Sequence, residues 1–121
     1  MKKILVVDDE QDIRSAIVAA LKMNGYETLE AENGIDAFNL AKTQLPDLII
    51  SDVMMYSGSG FMLREFLMRD DRTVGIPMIL MTGHAQKAGA WGHEEEIEYL
   101  EKPFSISDLL PVVQKKLNPG K

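Results

Sequence analysis

The first apolar run of the chain is Ile4-Leu5-Val6-Val7, and it is followed at once by Asp8 and Asp9. The same arrangement returns along the chain, where short apolar runs end in a charged or hydroxyl side chain: Asp52 after Leu48-Ile49-Ile50-Ser51, Thr82 after Met78-Ile79-Leu80-Met81, and Lys102 after Tyr99-Leu100-Glu101. Continuous apolar runs that alternate with longer amphipathic segments are typical of a parallel sheet covered by helices. Because parallel strands end at the same edge of a sheet, we expect these polar side chains to converge on one small site.

The segments between the runs predict helices with apolar positions at helical spacing, such as Ile13, Ile17, Ala20 and Leu21, and then Ile35, Phe38, Ala41 and Leu45. The predicted order is strand Lys3–Val7, helix Gln11–Asn24 ended by Gly25, strand Tyr26–Ala31, a helix after Gly34 ended by Pro46, strand Asp47–Ser51, helix Gly60–Arg69, strand Met78–Met81, an irregular helix between Thr82 and Ile97, strand Glu98–Glu101, and a last helix from Ser105 or Ser107 to Leu117. Right-handed crossovers then predict a flavodoxin-like, doubly wound (βα)5 fold whose five-stranded parallel sheet has the order 2-1-3-4-5.

Length and composition predict one domain over residues 1–121, with residues 118–121 as a tail or the start of a linker. The net charge is −6 and the basic residues are scattered, which argues against direct binding of nucleic acid. No segment approaches the roughly 20 apolar residues that a membrane helix needs. Neither a secretory signal nor a cysteine is present in the sequence, so we expect a cytoplasmic location.

The predicted strand order brings together three carboxylates, those of Asp8, Asp9 and Asp52, because it places the first strand beside the third. Open α/β sheets bind ligands in this crevice. Carboxylates so close together repel one another, and an oxygen-only cleft open to solvent suits a hard cation such as Mg²⁺. The main-chain carbonyl of Met54 is the next ligand within reach.

Two further strand ends add a positive charge and a hydroxyl group around Asp52. Lys102 supplies a fixed ammonium and Thr82 a hydroxyl donor. Together with a cation, these groups can stabilise the equatorial oxygens of a phosphoryl group while an ionised carboxylate acts as the nucleophile. The sequence therefore predicts phosphoryl transfer to Asp52.

These motifs resemble the receiver domain of two-component response regulators over essentially the whole chain. The matching residues are Asp8-Asp9, Asp52-Val53-Met54-Met55 with Gly60, Thr82-Gly83, and Lys102-Pro103-Phe104. The resemblance implies that Asp52 is the phosphoacceptor, that Asp8, Asp9, Asp52 and the Met54 carbonyl bind Mg²⁺, and that Thr82 and Lys102 contact the phosphoryl oxygens. It also implies that Thr82 and Tyr99 form the conformational switch, that Met54 and His84 occupy positions that tune the lifetime of the phosphoryl group, and that the Lys102–Pro103 bond is cis.

The resemblance implies a phosphohistidine donor on a sensor histidine kinase or on a histidine phosphotransfer protein. The output face would be made by the predicted fourth helix, the fifth strand and the last helix. It would act on a downstream effector, on a C-terminal output domain outside this sequence, or through a phosphorylation-dependent homodimer. Tyr56 departs from the pattern, since the family usually has proline there, and the segment from Thr82 to Lys102 is shorter than expected.

Two alternatives remain open at this point. A receiver-like interaction module would not depend on phosphorylation, and the altered segments around Tyr56 and Trp91 are compatible with it. A Mg²⁺-dependent phosphatase would also use an aspartyl nucleophile, but usually in an Asp-x-Asp pattern on the first strand, whereas Asp8 and Asp9 are adjacent. The favoured interpretation is a regulatory phosphoacceptor without a separate turnover reaction.

Overall fold

Strands and helices alternate along the chain, as the apolar runs predict. The computed structural model describes residues 1–53, 60–82, 97–102 and 104–117. Its elements are β1 (Lys3–Val7), α1 (Gln11–Met23), β2 (Glu27–Ala31), α2 (Gly34–Gln44), β3 (Leu48–Asp52), α3 (Gly60–Met68), β4 (Met78–Thr82), β5 (Ile97–Glu101) and a C-terminal helix (Ile106–Leu117). All strands are parallel, in the order β2-β1-β3-β4-β5, which confirms the predicted doubly wound, flavodoxin-like sheet. The predicted helix between residues 82 and 97 and the tail 118–121 lie outside the described residues.

The central strands are apolar on both faces because helices cover both faces of the sheet. On β1, Leu5 and Val7 point to the side of α2 and α3, whereas Ile4 and Val6 point to the side of α1 and the C-terminal helix. All four side chains are fully buried. Burying a side chain of this size contributes roughly 1.5–3 kcal/mol, so two apolar layers hold the strand ends in place. None of the described helices is long and apolar enough to cross a bilayer.

The helix ends follow signals that can be read in the sequence. After α1, Gly25 adopts a left-handed φ of 87°, and its amide donates to the carbonyl of Lys22. The C-terminal helix begins between its two predicted starts. Ser105 Oγ accepts a hydrogen bond from the Asp108 amide at 3.2 Å, and Asp108 Oδ2 accepts one from the Ser105 amide at 3.1 Å. This reciprocal capping fixes Ile106 as the first residue of the helix.

The predicted buried face of α2 is partly wrong. Ile35 and Leu45 are 57% and 54% exposed, whereas Ala41 is buried and Phe38 half-buried, as predicted. Ala37, which lies outside the predicted face, is buried as well. Apolar residues lie on two neighbouring sides of this helix. The side that faces the sheet is the one with the small residues Gly34, Ala37 and Ala41. The helix also ends earlier than predicted, since Leu45 has a left-handed φ of 47° directly before Pro46 and its side chain points outward.

Two strands extend one residue further at their carboxyl ends than predicted, and this bears on the site. Asp52 is paired with Met81 as the last residue of β3, and Thr82 is paired with Glu101 as the last residue of β4. The sequence pattern predicts both residues just after their strands. Because the sheet holds their main chains, their side chains start from fixed positions. By contrast Asp47 is exposed at the opposite edge, where its Oδ2 accepts a hydrogen bond from the Lys3 amide at 2.8 Å.

Candidate functional site

Three carboxylates meet at the edge where the parallel strands end. Asp8 and Asp9 follow β1, and Asp52 ends the neighbouring strand β3. One carboxylate oxygen from each of the three residues lies within 4.8 Å of the other two. At that separation, two like charges repel by roughly 3 kcal/mol at an effective dielectric constant of about 20. The cluster therefore requires positive charge nearby.

The Lys102 ammonium supplies part of this charge. Its Nζ donates to Asp52 Oδ2 at 3.1 Å and lies 3.8 Å from Asp8 Oδ2. The main chain places the lysine, because the Lys102 amide donates to the Thr82 carbonyl at 2.7 Å and so extends the pairing of β4 with β5. One ammonium cannot balance three ionised carboxylates. The site can thus accept a further cation.

Asp8 is the most enclosed of the three acids. It is fully buried, its Oδ1 accepts a hydrogen bond from the Glu10 amide at 2.9 Å, and its Oδ2 accepts none within the described part of the chain. Burial raises the pKa of this carboxyl above its usual range; the Glu10 amide opposes the rise, the Asp52 charge adds to it and Lys102 opposes it. A buried carboxylate oxygen that lacks a donor, among oxygen ligands only, fits a hard divalent cation such as Mg²⁺.

Gly60 supports the end of β3 because no side chain would fit at its position. A Cβ atom there would lie 2.7 Å from the Asp52 carbonyl oxygen and 2.8 Å from Leu80 Cδ2. The Gly60 amide also donates to the Val53 carbonyl at 2.9 Å. The start of α3 therefore lies directly against the strand that carries Asp52. This gives a physical reason for the glycine that the sequence motif contains.

The other predicted site residues fall into two groups. Thr82 is buried at the end of β4, next to Lys102, and Tyr99 is a half-buried residue of β5 that packs against the apolar layer on the side of α2 and α3. The remaining predictions lie outside the described residues, namely the Met54 carbonyl, His84, the Lys102–Pro103 bond, Tyr56 and Trp91.

Sequence reasoning missed Arg14, a buried cation behind the acidic cluster. Its Nη1 donates to the Asp8 main-chain carbonyl at 2.7 Å, and its Nε donates to Glu30 Oε1 at 3.1 Å. The signal was present in the sequence. Arg14 precedes Ile17 by three residues and Leu21 by seven, so it continues the buried stripe of α1.

Comparison with known proteins agrees with this geometry. Residues 4–114 match the family model of the response regulator receiver domain. The chain is 41% identical to the phosphate regulon transcriptional regulatory protein PhoB of Pseudomonas aeruginosa; the match covers 98% of this chain and 54% of PhoB, so this chain spans about half the length of that relative. It is 34% identical to Protein PilH of the same organism, over 97% of this chain and 98% of PilH.

A solved structure extends the comparison to the site. The receiver domain of the sensor histidine kinase PA1611 from Pseudomonas aeruginosa superimposes with a TM-score of 0.85 at 25% identity, covering 96% of this chain and 97% of that one. A magnesium ion is coordinated in its active site cleft. The acidic cluster of Asp8, Asp9 and Asp52 is consistent with a Mg²⁺ site of this kind. The chain therefore belongs to the receiver domain family of two-component response regulators.

Proposed function

We propose that this receiver domain is a phosphorylation-dependent signalling switch whose phosphoacceptor is Asp52. The observation that carries the proposal is the position of this carboxylate at the carboxyl end of the central strand, β3. It lies in one cluster with Asp8 and Asp9, and its Oδ2 accepts a hydrogen bond from Lys102 at 3.1 Å. The nucleophile, the acidic cluster and a fixed positive charge thus meet at one point.

The proposed reaction transfers a phosphoryl group from a phosphohistidine to Asp52. A carboxylate oxygen of Asp52 forms the new bond to phosphorus as the bond from phosphorus to the imidazole nitrogen breaks. The nitrogen keeps the electron pair of that bond and takes up a proton. No general base is needed, because an ionised carboxylate is already a nucleophile. Lys102 and the Thr82 hydroxyl would bind the phosphoryl oxygens and stabilise their charge.

Asp8, Asp9 and Asp52 would hold Mg²⁺, with the Met54 carbonyl as a further ligand. When bound, this ion supplies positive charge to the phosphoryl oxygens in transfer reactions of this type. The buried Asp8 Oδ2, which accepts no hydrogen bond among the described residues, supports the assignment. Asp9 is only half-buried and so remains reachable from solvent.

Phosphorylation would add about −1.5 to −2 charge at a crowded acidic point and draw Thr82 and Lys102 toward the new oxygens. We propose that Tyr99 then turns inward and changes the output face made by the segment before β5, β5 itself and the C-terminal helix. Turning a mostly inactive population into a mostly active one needs about 5.5 kcal/mol of differential stabilisation. Several charge-assisted hydrogen bonds could supply this free energy. The output would be docking to an effector, control of an attached output domain, or formation of a homodimer.

A receiver domain is a signalling module and is not normally classed as an enzyme. We propose that this one promotes its own phosphorylation and dephosphorylation without a separate turnover reaction, and that Met54 and His84 tune the lifetime of the phosphoryl group. Receiver domains imply a partner kinase. The proposed donors here are a sensor histidine kinase or a histidine phosphotransfer protein, acting on a single cytoplasmic domain that spans residues 1–121.

The test is incubation of the chain with Mg²⁺ and acetyl phosphate, followed by mass spectrometry. We expect a mass gain of one phosphoryl group that hydroxylamine removes, as it does from acyl phosphates. Asp52→Asn should abolish the gain. The matched control is Asp47→Asn, since Asp47 directly precedes the same strand at the opposite end from Asp52 and should not affect labelling.

The same experiment separates the alternatives. Labelling that persists in Asp52→Asn would contradict the assignment of the phosphoacceptor. An absence of labelling with acetyl phosphate and with a phosphohistidine donor would favour an interaction module that works without phosphate. Multiple turnover of a phosphoester by the native chain would favour a phosphatase.

A further inference from the structure

Arg14 of α1 is a buried arginine that contacts the acidic site from behind. Only 7% of this residue is exposed, although arginine is almost never fully buried unless it is paired. Its Nη1 donates to the Asp8 carbonyl at 2.7 Å and its Nε donates to Glu30 Oε1 at 3.1 Å. Its Nη2 also lies 3.8 Å from Glu32 Oε1. The guanidinium therefore links α1 to the ends of β1 and β2.

The turn from Asp8 to Glu10 is anchored at its first residue by the Arg14 side chain, which holds the Asp8 carbonyl. At its other end the turn joins α1 through the main chain, because the Arg14 amide donates to the Glu10 carbonyl at 3.0 Å as the first hydrogen bond of that helix. Inside the turn, the Glu10 amide donates to Asp8 Oδ1 at 2.9 Å. Asp9 lies between these two anchored residues. The orientation of two of the three clustered carboxylates thus depends on a turn that Arg14 fixes.

The chemistry of the arginine side chain suits this task. A guanidinium is planar, stays charged at any ordinary pH and presents donors in several fixed directions. It can therefore donate hydrogen bonds to a carbonyl and to a carboxylate at the same time. Here it bonds the main-chain carbonyl of Asp8 and leaves the carboxylate of that residue to the site. A lysine would provide the charge, but it lacks the separate N–H donors with which Arg14 reaches both Asp8 and Glu30.

We propose that Arg14 is a positioning residue, which holds the turn so that the carboxylates of Asp8 and Asp9 are ready to bind a divalent cation. The inference rests on the proposed function, because it requires that the cluster binds Mg²⁺. Groups that hold metal ligands in place commonly change metal affinity about 10–100-fold when they are removed. We expect Arg14→Met to raise the dissociation constant for Mg²⁺ about tenfold.

The experiment titrates Mg²⁺ into the metal-free full chain and follows binding by calorimetry and by NMR shifts of the Asp8 and Asp9 amides. Four proteins are compared: the native chain, Arg14→Met, Arg14→Lys, and Arg69→Met as the control. Arg69 is an exposed arginine that pairs only with Glu65 among the described residues. Circular dichroism at the titration temperature establishes that each protein is folded, and urea unfolding in EDTA measures stability separately.

The expected order of Mg²⁺ affinity is native equal to Arg69→Met, then Arg14→Lys, then Arg14→Met. If folded Arg14→Met binds Mg²⁺ as tightly as the native chain, the proposal is overturned and Arg14 contributes only to stability. Should Arg14→Met fail to fold, Arg14→Lys decides, since native affinity in that variant would overturn the proposal and weakened affinity would support it. A native chain that binds no Mg²⁺ would instead overturn the metal site itself, and this inference with it.

Discussion

Asp8 combines complete burial with a carboxylate oxygen that accepts no hydrogen bond in the described part of the chain. The pKa of this carboxyl is raised, chiefly by burial, against the opposing effects of the Glu10 amide and Lys102. In the metal-free protein, the charged form is therefore less favourable in the folded state than in the unfolded state. The buried carboxylate of Asp8, which suits a cation, therefore destabilises the folded state when the cation is absent.

We predict that Asp8→Asn is more stable than the native chain in EDTA at pH 7. A raised pKa means that the folded state binds a proton more readily than the unfolded state, so stability falls as pH rises from the usual value of 3.8 through the raised value. Asparagine avoids this loss and keeps an acceptor for the Glu10 amide. The advantage should shrink as pH is lowered toward 3.8.

Urea unfolding in EDTA across this pH range checks the prediction, with Asp71→Asn, at an exposed aspartate, as the control. The control should stay within about 0.5 kcal/mol of the native chain. A lower stability of Asp8→Asn than of the native chain at pH 7 would show that the carboxylate is well compensated without a metal.

At the scale of elements, the approach of α3 to β3 determines where Asp52 lies. Gly60 begins α3 in contact with the main chain of Asp52 and with Leu80, and a methyl group there would overlap both. The backbone cannot move away without disturbing the pairing of β3 with β4. The glycine is thus required by space and not by an unusual backbone angle.

We predict that Gly60→Ala lowers the free energy of unfolding by about 1–3 kcal/mol, the usual range for overfilling a close contact. It should also slow phosphorylation by acetyl phosphate, since the end of β3 must shift. Urea unfolding and labelling rates measure the two effects. Gly75→Ala is the matched control, because a methyl group at Gly75 meets nothing within 4 Å. Equal stability of the two variants would contradict this account.

The sequence predicted strands better than helix faces, and particular residues show why. An apolar run such as Ile4 to Val7 allows only a buried strand in this context, so the sheet order and the convergence of Asp8, Asp9 and Asp52 could be expected. In helix α2 the spacing correctly predicted that Ala41 is buried, but it did not show that Ala37 faces the sheet and that Ile35 and Leu45 do not.

Arg14 escaped prediction for a different reason. Arginine is rarely buried unless it is paired, so its identity favours an exposed position. The two groups that pair with Arg14 lie on other elements of the fold. The Asp8 carbonyl follows β1, and Glu30 is on β2, sixteen residues from Arg14 along the chain. Only the folded sheet brings them together, so the helical spacing that indicates the burial of Arg14 does not identify its partners.

At the scale of the whole molecule, the site exists only when the sheet is complete. Asp8 and Lys102 are separated by most of the chain, yet their charged groups lie 3.8 Å apart because β1, β3, β4 and β5 are neighbours in that order. An unfolded chain cannot hold three carboxylates and an ammonium in this arrangement. Binding of Mg²⁺ to the cluster must therefore favour the folded state.

We predict that Mg²⁺ raises the free energy of unfolding, by about 1.4 kcal/mol when its concentration is ten times the dissociation constant. Urea unfolding in EDTA and in a series of MgCl₂ concentrations, at constant ionic strength, measures the increment. Asp9→Asn should lose most of it, because one of the three clustered carboxylates is gone. Asp71→Asn should keep it. If all three proteins gain equally, the stabilisation is a general salt effect, and the acidic cluster is not where the ion acts.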